Sequence, residues 1–205
     1  MVEKLNKYLA LFFSAVFNPF IIPTLTSLII LSYLPGFEMY SPKVKYILLL
    51  IVAASTCIIP LLFLLIVSLS PTINRDMMHH RDRILPYIFS AFSIFMGAQL
   101  IGKLPIPRIF SLFLLGACLV LIVLFAVTTM WKISGHAAGV GGLVGTLLSI
   151  TFKYGIDLTW PIIGSILVAG AVGSARILLN KHTPAQVYAG FSVGVLLMYG
   201  TIYFF

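Results

Sequence analysis

The stretch Ser174-Ala-Arg-Ile-Leu-Leu-Asn-Lys-His-Thr-Pro-Ala-Gln186 joins two apolar segments that are each long enough to cross a bilayer. It places Arg176 and His182 at the edge of hydrocarbon, where polar side chains are costly unless they reach water, pair or carry a function. Thr183 is a predicted N-cap, and the proline after it suits the first position of a helix. The stretch therefore predicts the end of one membrane helix, a short connection and the start of another.

His182 lies just before this predicted helix start. Free backbone N–H groups and the helix dipole favour an anion there. Gln186 follows four residues later, so its carbonyl oxygen can reach the imidazole and fix the orientation of the ring. A cation, a histidine, a helix N-terminus and an orienting amide together indicate phosphate chemistry.

The composition predicts an all-α integral membrane protein, a bundle of about six to seven transmembrane helices in one domain that covers residues 1–205. Of the 205 residues, 60% are hydrophobic and only 9% are charged, and the mean hydropathy is +1.12. A soluble domain carries about a quarter charged residues. The formal charge is +8, but the cations occur singly between apolar segments. We therefore expect membrane lipids with anionic headgroups as partners, and no nucleic acid. Both cysteines fall in apolar stretches, which predicts neither a disulfide nor a metal site.

Seven apolar stretches have the length of a membrane span, about 17 to 25 residues. They are 8–33, 44–69, 85–101, 106–130, 134–152, 158–179 and 184–204. The first contains Asn18-Pro19 and Pro23, which predicts a kink or break near its outer end. The glycines of the fifth and seventh spans have small-xxx-small spacing, which predicts close helix packing. They are Gly135, Gly139, Gly141, Gly142, Gly145, Gly190 and Gly194.

With seven spans, the connections 70–84, 131–134 and 180–183 lie on one membrane face together with the N-terminus. That face then holds all four histidines and several cations, namely His79, His80, His136, His182, Arg75, Arg81, Arg83, Arg176 and Lys181. Three helix starts, marked by Pro86, Ser134 and Thr183, point to the same face. Helix N-termini that meet arginine and histidine predict an anion site.

Ser134-Gly135-His136-Ala137 is the second motif. Gly135 allows the backbone to approach a ligand closely, and exposed amides at a helix start can bind phosphoryl oxygens. His136 is placed to supply a proton. Together with Ser174-x-Arg176-x5-His182, this motif resembles the second and third motifs of the type 2 phosphatidic acid phosphatase (PAP2) superfamily, which run Pro-Ser-Gly-His and Ser-Arg-x5-His-x3-Asp. The resemblance covers the chain from about Arg75 to Gln186.

The chain departs from the family pattern at three places. Ile133 replaces the proline of the second motif. The first family motif, Lys-x6-Arg-Pro, is represented by Arg81-Asp82-Arg83-Ile84-Leu85-Pro86, in which we match Arg81 and Arg83 to the phosphate-binding cations and keep Arg75 in reserve. Gln186 stands where the family has an aspartate. An amide oxygen can accept the Nδ1 hydrogen of His182 but supplies no negative charge. Asp76 or Asp82 could supply that charge instead.

The resemblance implies a phosphatase that needs neither a metal nor another cofactor and works through a phosphohistidine. His182 would be the nucleophile, and His136 would protonate the leaving group and then deprotonate the attacking water. Gln186 would orient His182. The remaining candidate residues would bind the phosphoryl oxygens, and they are Arg81, Arg83, Ser134, Gly135 and Arg176.

The expected substrate is a lipid phosphate or pyrophosphate, with its scissile group at headgroup level and its tail among the helices. Family substrates include phosphatidic acid, phosphatidylglycerophosphate, undecaprenyl pyrophosphate and lipid A phosphate. Two alternatives stay open: a lipid phosphotransferase that uses the same histidine, and a binder or transporter of lipid phosphate without turnover. Transporters place ionisable residues near mid-membrane, whereas these cations lie at span ends. The oligomeric state is open.

The expected location is a bacterial inner (plasma) membrane, with the site at one membrane–water interface. The site-bearing face carries eight Lys and Arg against five on the other, which favours a cytoplasmic site by the positive-inside rule. Without Arg81, Arg83 and Arg176 the two counts are equal. The resemblance implies a site that opens away from the cytoplasm, and we adopt that expectation.

Overall fold

The computed structural model describes residues 2–69 and 84–205, with side chains from residue 5 onward. Over these ranges the chain is all-helical, and its eight helices confirm the predicted fold class. They are α1 (Val2–Val16), α2 (Ile22–Tyr33), α3 (Pro42–Ser68), α4 (Ile84–Gly102), α5 (Ile109–Thr128), α6 (Gly135–Tyr154), α7 (Thr159–Leu178) and α8 (Pro184–Phe204). Helices α3 to α8 are long and apolar enough to cross a membrane.

The first predicted span, 8–33, is two short helices instead of one continuous helix. Helices α1 and α2 have 15 and 12 residues, and the chain between them turns at Asn18-Pro19. Pro19 has no N–H to continue a helical ladder, and the Asn18 side-chain oxygen accepts the N–H of Phe20 at 3.1 Å. The predicted break is therefore confirmed. The other six predicted spans agree with α3 to α8 to within three residues at each end.

Glycines let α6 and α8 pack with their backbones in contact. A Cβ at Gly141 or Gly145 would overlap backbone atoms of α8, and a Cβ at Gly190 or Gly194 would overlap carbonyl oxygens of the Ser134–Ala138 turn. The predicted close packing is confirmed at these four positions. Gly142 also lies close to α8, since a Cβ at Gly194 would be 2.7 Å from the Gly142 nitrogen. Gly135 and Gly139 face Tyr87 and Pro19 instead, and all three of these α6 glycines line a cavity.

Helix α3 contains a π-helical turn at Ala54–Ile58. A π turn widens the helix by one residue and leaves a carbonyl without its usual partner. Here the Ser55 carbonyl accepts the hydroxyl of Ser93 in α4 at 2.9 Å. Gly97 faces the same turn, since a Cβ there would lie 2.6 Å from the Ser55 side chain. The π turn therefore seats α3 against α4 and forms one wall of the cavity.

The end of the bundle away from the candidate site is closed by contacts among connections and helix ends. Phe37 packs edge-on against Phe110 with ring centroids 5.4 Å apart, and the Tyr40 hydroxyl donates to the Pro105 carbonyl at 3.3 Å. The Lys153 ammonium donates to the carbonyl of Ile202 near the end of α8 at 2.7 Å. This cation stabilises the negative end of the α8 dipole.

Candidate functional site

The starts of three helices meet at the opposite end of the bundle. The N–H of Ser134, the N-cap of α6, donates to the Gln186 carbonyl in the first turn of α8 at 3.2 Å. A Cβ at Gly135 would lie 3.0 Å from the hydroxyl of Tyr87, in the first turn of α4. The structure thus brings together the three helix N-termini that Pro86, Ser134 and Thr183 indicate, and their combined dipoles favour an anion.

A tight turn after α7 positions His182 beside Arg176. Asn180 adopts the left-handed conformation, with φ of 52°. Its N–H bonds to the Ile177 carbonyl at 2.9 Å, and the N–H of Lys181 bonds to the Arg176 carbonyl at 3.1 Å. This pair of backbone hydrogen bonds is a Schellman motif, and asparagine tolerates the positive φ that the motif requires. The His182 N–H also reaches the Arg176 carbonyl at 3.3 Å.

Gln186 holds both the start of α8 and the imidazole of His182. Its side-chain oxygen accepts the N–H of Thr183 at 3.2 Å, while the Thr183 hydroxyl accepts the N–H of Gln186 at 3.4 Å. This reciprocal pair is a capping box. The same oxygen lies 3.1 Å from Nδ1 of His182, and the imidazole is only 6% exposed.

The capping box determines the protonation of the His182 ring. A backbone N–H needs an acceptor, so the Gln186 amide must direct its oxygen, and not its nitrogen, at Thr183. The Nδ1 atom of His182 faces that same oxygen and must therefore donate its hydrogen. In the neutral ring the lone pair is then on Nε2. An imidazole fixed in this way has one defined nucleophilic atom.

Ser134 forms the N-cap that the sequence predicts. Its Oγ accepts the N–H of Ala137 at 3.4 Å, and the residue is 0% exposed. Gly135 and His136, next along the chain, line the cavity, whereas Ser134 does not. Ser134 therefore caps α6, and only Gly135 and His136 of this motif line the cavity.

The cavity has a volume of about 330 Å³ and begins at Gly135, His136 and Arg176. The Arg176 guanidinium reaches across to α1, where it donates to the Ser14 hydroxyl at 2.8 Å. His136 is half-buried, so a group in the cavity can approach its ring. Below these residues the wall is mostly apolar, with contributions from α2 to α6 and α8. The polar end of the cavity can hold an anionic group and its apolar part a hydrocarbon.

Comparisons with known proteins give the chain no relative. No family model matches it, and neither a curated protein nor a solved structure matches it. The resemblance to the PAP2 superfamily therefore depends on the motif residues themselves.

The sequence-predicted residues divide into three groups. Gly135, His136 and Arg176 share the cavity wall. His182 and Gln186 are not among the residues that line the cavity, but their backbones are hydrogen-bonded to those of Arg176 and Ser134. The remaining predictions, on the 70–83 segment, lie outside the described residues, and they concern Arg75, Asp76, His79, His80, Arg81, Asp82 and Arg83. Within the described ranges, no group of three or more His, Cys, Asp or Glu could hold a metal ion.

Sequence reasoning missed three residues of the site. Tyr87 adjoins Gly135, and its position one residue after Pro86 could have placed it in the first turn of α4. Pro19 indicated a break in the first span. The sequence did not indicate that this break would line the cavity beside Gly139. Ser14 carried no signal, because its contact with Arg176 joins residues 162 positions apart.

Proposed function

We propose that this protein is a membrane-embedded phosphatase that hydrolyses a lipid phosphate or pyrophosphate through a phosphohistidine at His182. The observation that carries the proposal is the fixed imidazole: Gln186 holds Nδ1 at 3.1 Å, which leaves the lone pair on Nε2. The backbone N–H of His182 reaches the Arg176 carbonyl at 3.3 Å, and three helix N-termini meet at the same end of the bundle. A guanidinium and helix N-termini are groups that stabilise a phosphoryl anion.

The proposed reaction has two displacement steps. In the first, Nε2 of His182 attacks phosphorus, a P–N bond forms, and the bond from phosphorus to the leaving oxygen breaks while His136 donates a proton to that oxygen. In the second, His136 takes a proton from water, the water oxygen attacks phosphorus, and the P–N bond breaks. Inorganic phosphate leaves and His182 returns to its starting state.

Cations and backbone amides would stabilise the charge on the transferring group. Arg176 supplies a guanidinium at the cavity wall, and the start of α6 at Gly135 supplies backbone N–H groups. Arg81 and Arg83, from the predicted first motif, would complete the set. Such fixed donors matter most where negative charge spreads over the equatorial oxygens of the transition state.

Gln186 gives the site a neutral orienting group. When His182 is phosphorylated at Nε2 and keeps its hydrogen on Nδ1, its ring is positive, and an amide oxygen stabilises that charge less than a carboxylate does. We expect turnover below that of a site with aspartate here, unless Asp76 or Asp82 contributes a charge. The same neutrality favours the second candidate, a protein that binds lipid phosphate without turnover.

A lipid substrate is supported by the position of the site. The cavity begins at the ends of membrane-length helices and continues into apolar walls, so a phosphate at headgroup level would have its tail among the helices. We propose a bacterial inner-membrane protein whose site opens at the extracytoplasmic interface. A phosphotransferase would use the same phosphohistidine and differ only in the acceptor.

The test is release of inorganic phosphate from a panel of lipid phosphates by purified protein in nanodiscs, with and without EDTA. We expect release that persists in EDTA and is lost in His182→Ala. Tyr188→Ala is the matched control, because it removes an exposed side chain from the first turns of the same helix. Release that requires a divalent cation, or that His182→Ala retains, would overturn the proposal. Tight binding of lipid phosphate with no release by the wild type would identify the binder.

A further inference from the structure

The cavity reaches far below the phosphate end. Its wall on α5 extends from Leu124 to Phe113, eleven residues apart, which is about 16 Å at the helical rise of 1.5 Å per residue. On α4 the wall extends as deep as Ile94, about 15 Å below the helix start at Ile84. The cavity therefore penetrates about half of the roughly 30 Å hydrocarbon thickness of a bilayer.

The volume sets how much hydrocarbon this space can hold. An apolar protein cavity of about 150 Å³ binds benzene, which has six carbons. In proportion, a cavity of about 330 Å³ holds at most about a dozen carbons, since a phosphate at its polar end would take part of the same volume. That is one chain of moderate length, since two such chains would need twice the space.

The walls suit a hydrocarbon chain. Gly135, Gly139 and Gly142 recur at four- and three-residue intervals, so they lie on one face of α6 and leave a groove along it. Two threonines line the cavity, but the hydroxyl of Thr26 donates to the Ile22 carbonyl and that of Thr56 to the Val52 carbonyl, each at 2.8 Å. Because their hydrogens are already used, they present no donor to a ligand.

We propose that the cavity accommodates the single tail of a single-chain lipid phosphate, up to about twelve carbons long, and that the small side chain of Ala117 leaves room for the far end of that tail. This inference rests on the proposed function, because the phosphate of such a ligand would lie at His136 and Arg176. The shared chemistry is a phosphate joined to one apolar chain, either an acyl or alkyl chain or a short isoprenoid. Diacyl lipids and long polyprenyl chains exceed the space.

Ala117 is the position that keeps the lower part of the cavity open, because of its small size and its depth. The face of α5 that lines the cavity consists of Phe113, Ala117, Val120, Leu121 and Leu124. Ala117 is the smallest of them and lies one turn from Phe113, the deepest. A larger side chain there would fill the lower part of the cavity without touching the phosphate end.

The test compares hexyl, dodecyl and octadecyl phosphates, geranyl phosphate and a diacyl phosphatidate, with protein in nanodiscs. Two quantities are measured: phosphate release, and ligand binding by native mass spectrometry. For the wild type we expect release from, and binding of, dodecyl and geranyl phosphates to exceed those of the octadecyl and diacyl compounds by about tenfold or more, the scale of overpacking a filled core. The ratio of the values for dodecyl and geranyl phosphates separates the two ligand sources.

Ala117→Phe should lower the ratio of phosphate release from dodecyl phosphate to release from hexyl phosphate by about tenfold or more. Ala117→Leu should lower the same ratio by less. Ala126→Phe is the matched control, because Ala126 is exposed on the same helix and its substitution should leave the ratio unchanged. Thermal unfolding of each variant identifies any that fail to fold, in which case Ala117→Leu carries the test. Equal release for all lengths, unaffected at residue 117, would overturn this inference and leave the proposed function standing. Length-dependent binding that shifts in Ala117→Phe without any phosphate release would retain the cavity assignment and overturn the proposed function.

Discussion

His182 and His136 differ in how the fold holds them. His182 is buried, and its ring is fixed through Nδ1 by Gln186 at 3.1 Å. His136 is half-buried in the first turn of α6 and lines the cavity. A nucleophile has to hold one atom in line with the phosphorus that it attacks. A proton carrier has to donate a proton to the leaving oxygen and then accept one from water. This difference in burial agrees with the proposed roles, in which His182 is the nucleophile and His136 the proton carrier.

The largest expected effect comes from His182. His182→Ala should lower phosphate release by about 10⁴-fold or more, because removal of a covalent nucleophile leaves only binding and electrostatic stabilisation. Initial rates with the best lipid phosphate measure the effect. Residual activity within tenfold of the wild type would mean that His182 is not the nucleophile.

His136 should show a smaller loss that depends on the leaving group. His136→Gln should slow release from an alkyl phosphate by about 10²- to 10⁴-fold, the usual contribution of general acid–base catalysis. With p-nitrophenyl phosphate the leaving group needs no proton, so we expect a fast burst of nitrophenol followed by slow turnover. Equal losses at both steps for both substrates would contradict the proposed division of work.

Substitution of Gln186 should give the third-largest loss of turnover. Gln186→Ala frees the His182 ring and should lower turnover by about 10- to 100-fold while KM changes little, less than the roughly 10⁴-fold cost of a wrong tautomer in serine proteases. Gln186→Glu keeps the reach, adds a negative charge and should preserve or raise turnover.

The control for that substitution is Thr183→Ala, which removes the capping hydroxyl but leaves the Gln186 oxygen beside the imidazole. It should lower thermal stability, since loss of an N-cap costs about 1 kcal/mol, with little change in turnover. If Thr183→Ala and Gln186→Ala have the same effect on turnover, Gln186 acts on the helix and not on the ring.

The smallest expected effect is at Ser14. Ser14→Ala removes the hydroxyl that accepts from Arg176 at 2.8 Å and should lower kcat/KM by about tenfold, the value of one hydrogen bond to a charged group. Ser32→Ala, on α2, is the control, because that hydroxyl is exposed and donates to the Leu28 carbonyl of its own helix at 2.8 Å. Equal rates for both variants would show that α1 does not position the guanidinium.

The sequence predicted those parts of the site that depend on neighbouring residues. The caps at Ser134 and Thr183 and the contact of Gln186 with His182 each involve residues within four positions, so spacing alone could indicate them. The membrane helices were predictable for the same reason, since length and hydropathy are local properties.

The cavity could not be predicted, because it depends on contacts between distant segments. Gly139 and Gly141 have the same residue type and neighbouring positions, yet one lines the cavity and the other contacts the α8 backbone. Which face of α6 meets α8 is decided by the packing of the whole bundle. The break between α1 and α2 could be predicted from Asn18-Pro19. That this break lines the cavity could not be predicted.

The most direct test of the central claim is to trap the phosphoenzyme. His136→Gln is mixed with radiolabelled p-nitrophenyl phosphate and quenched, because loss of the base should slow hydrolysis of the intermediate. We predict label on His182, stable in alkali and lost in acid, and no label when His182→Ala is added to the same chain. Label on another residue, or label that persists in the double variant, would contradict the account.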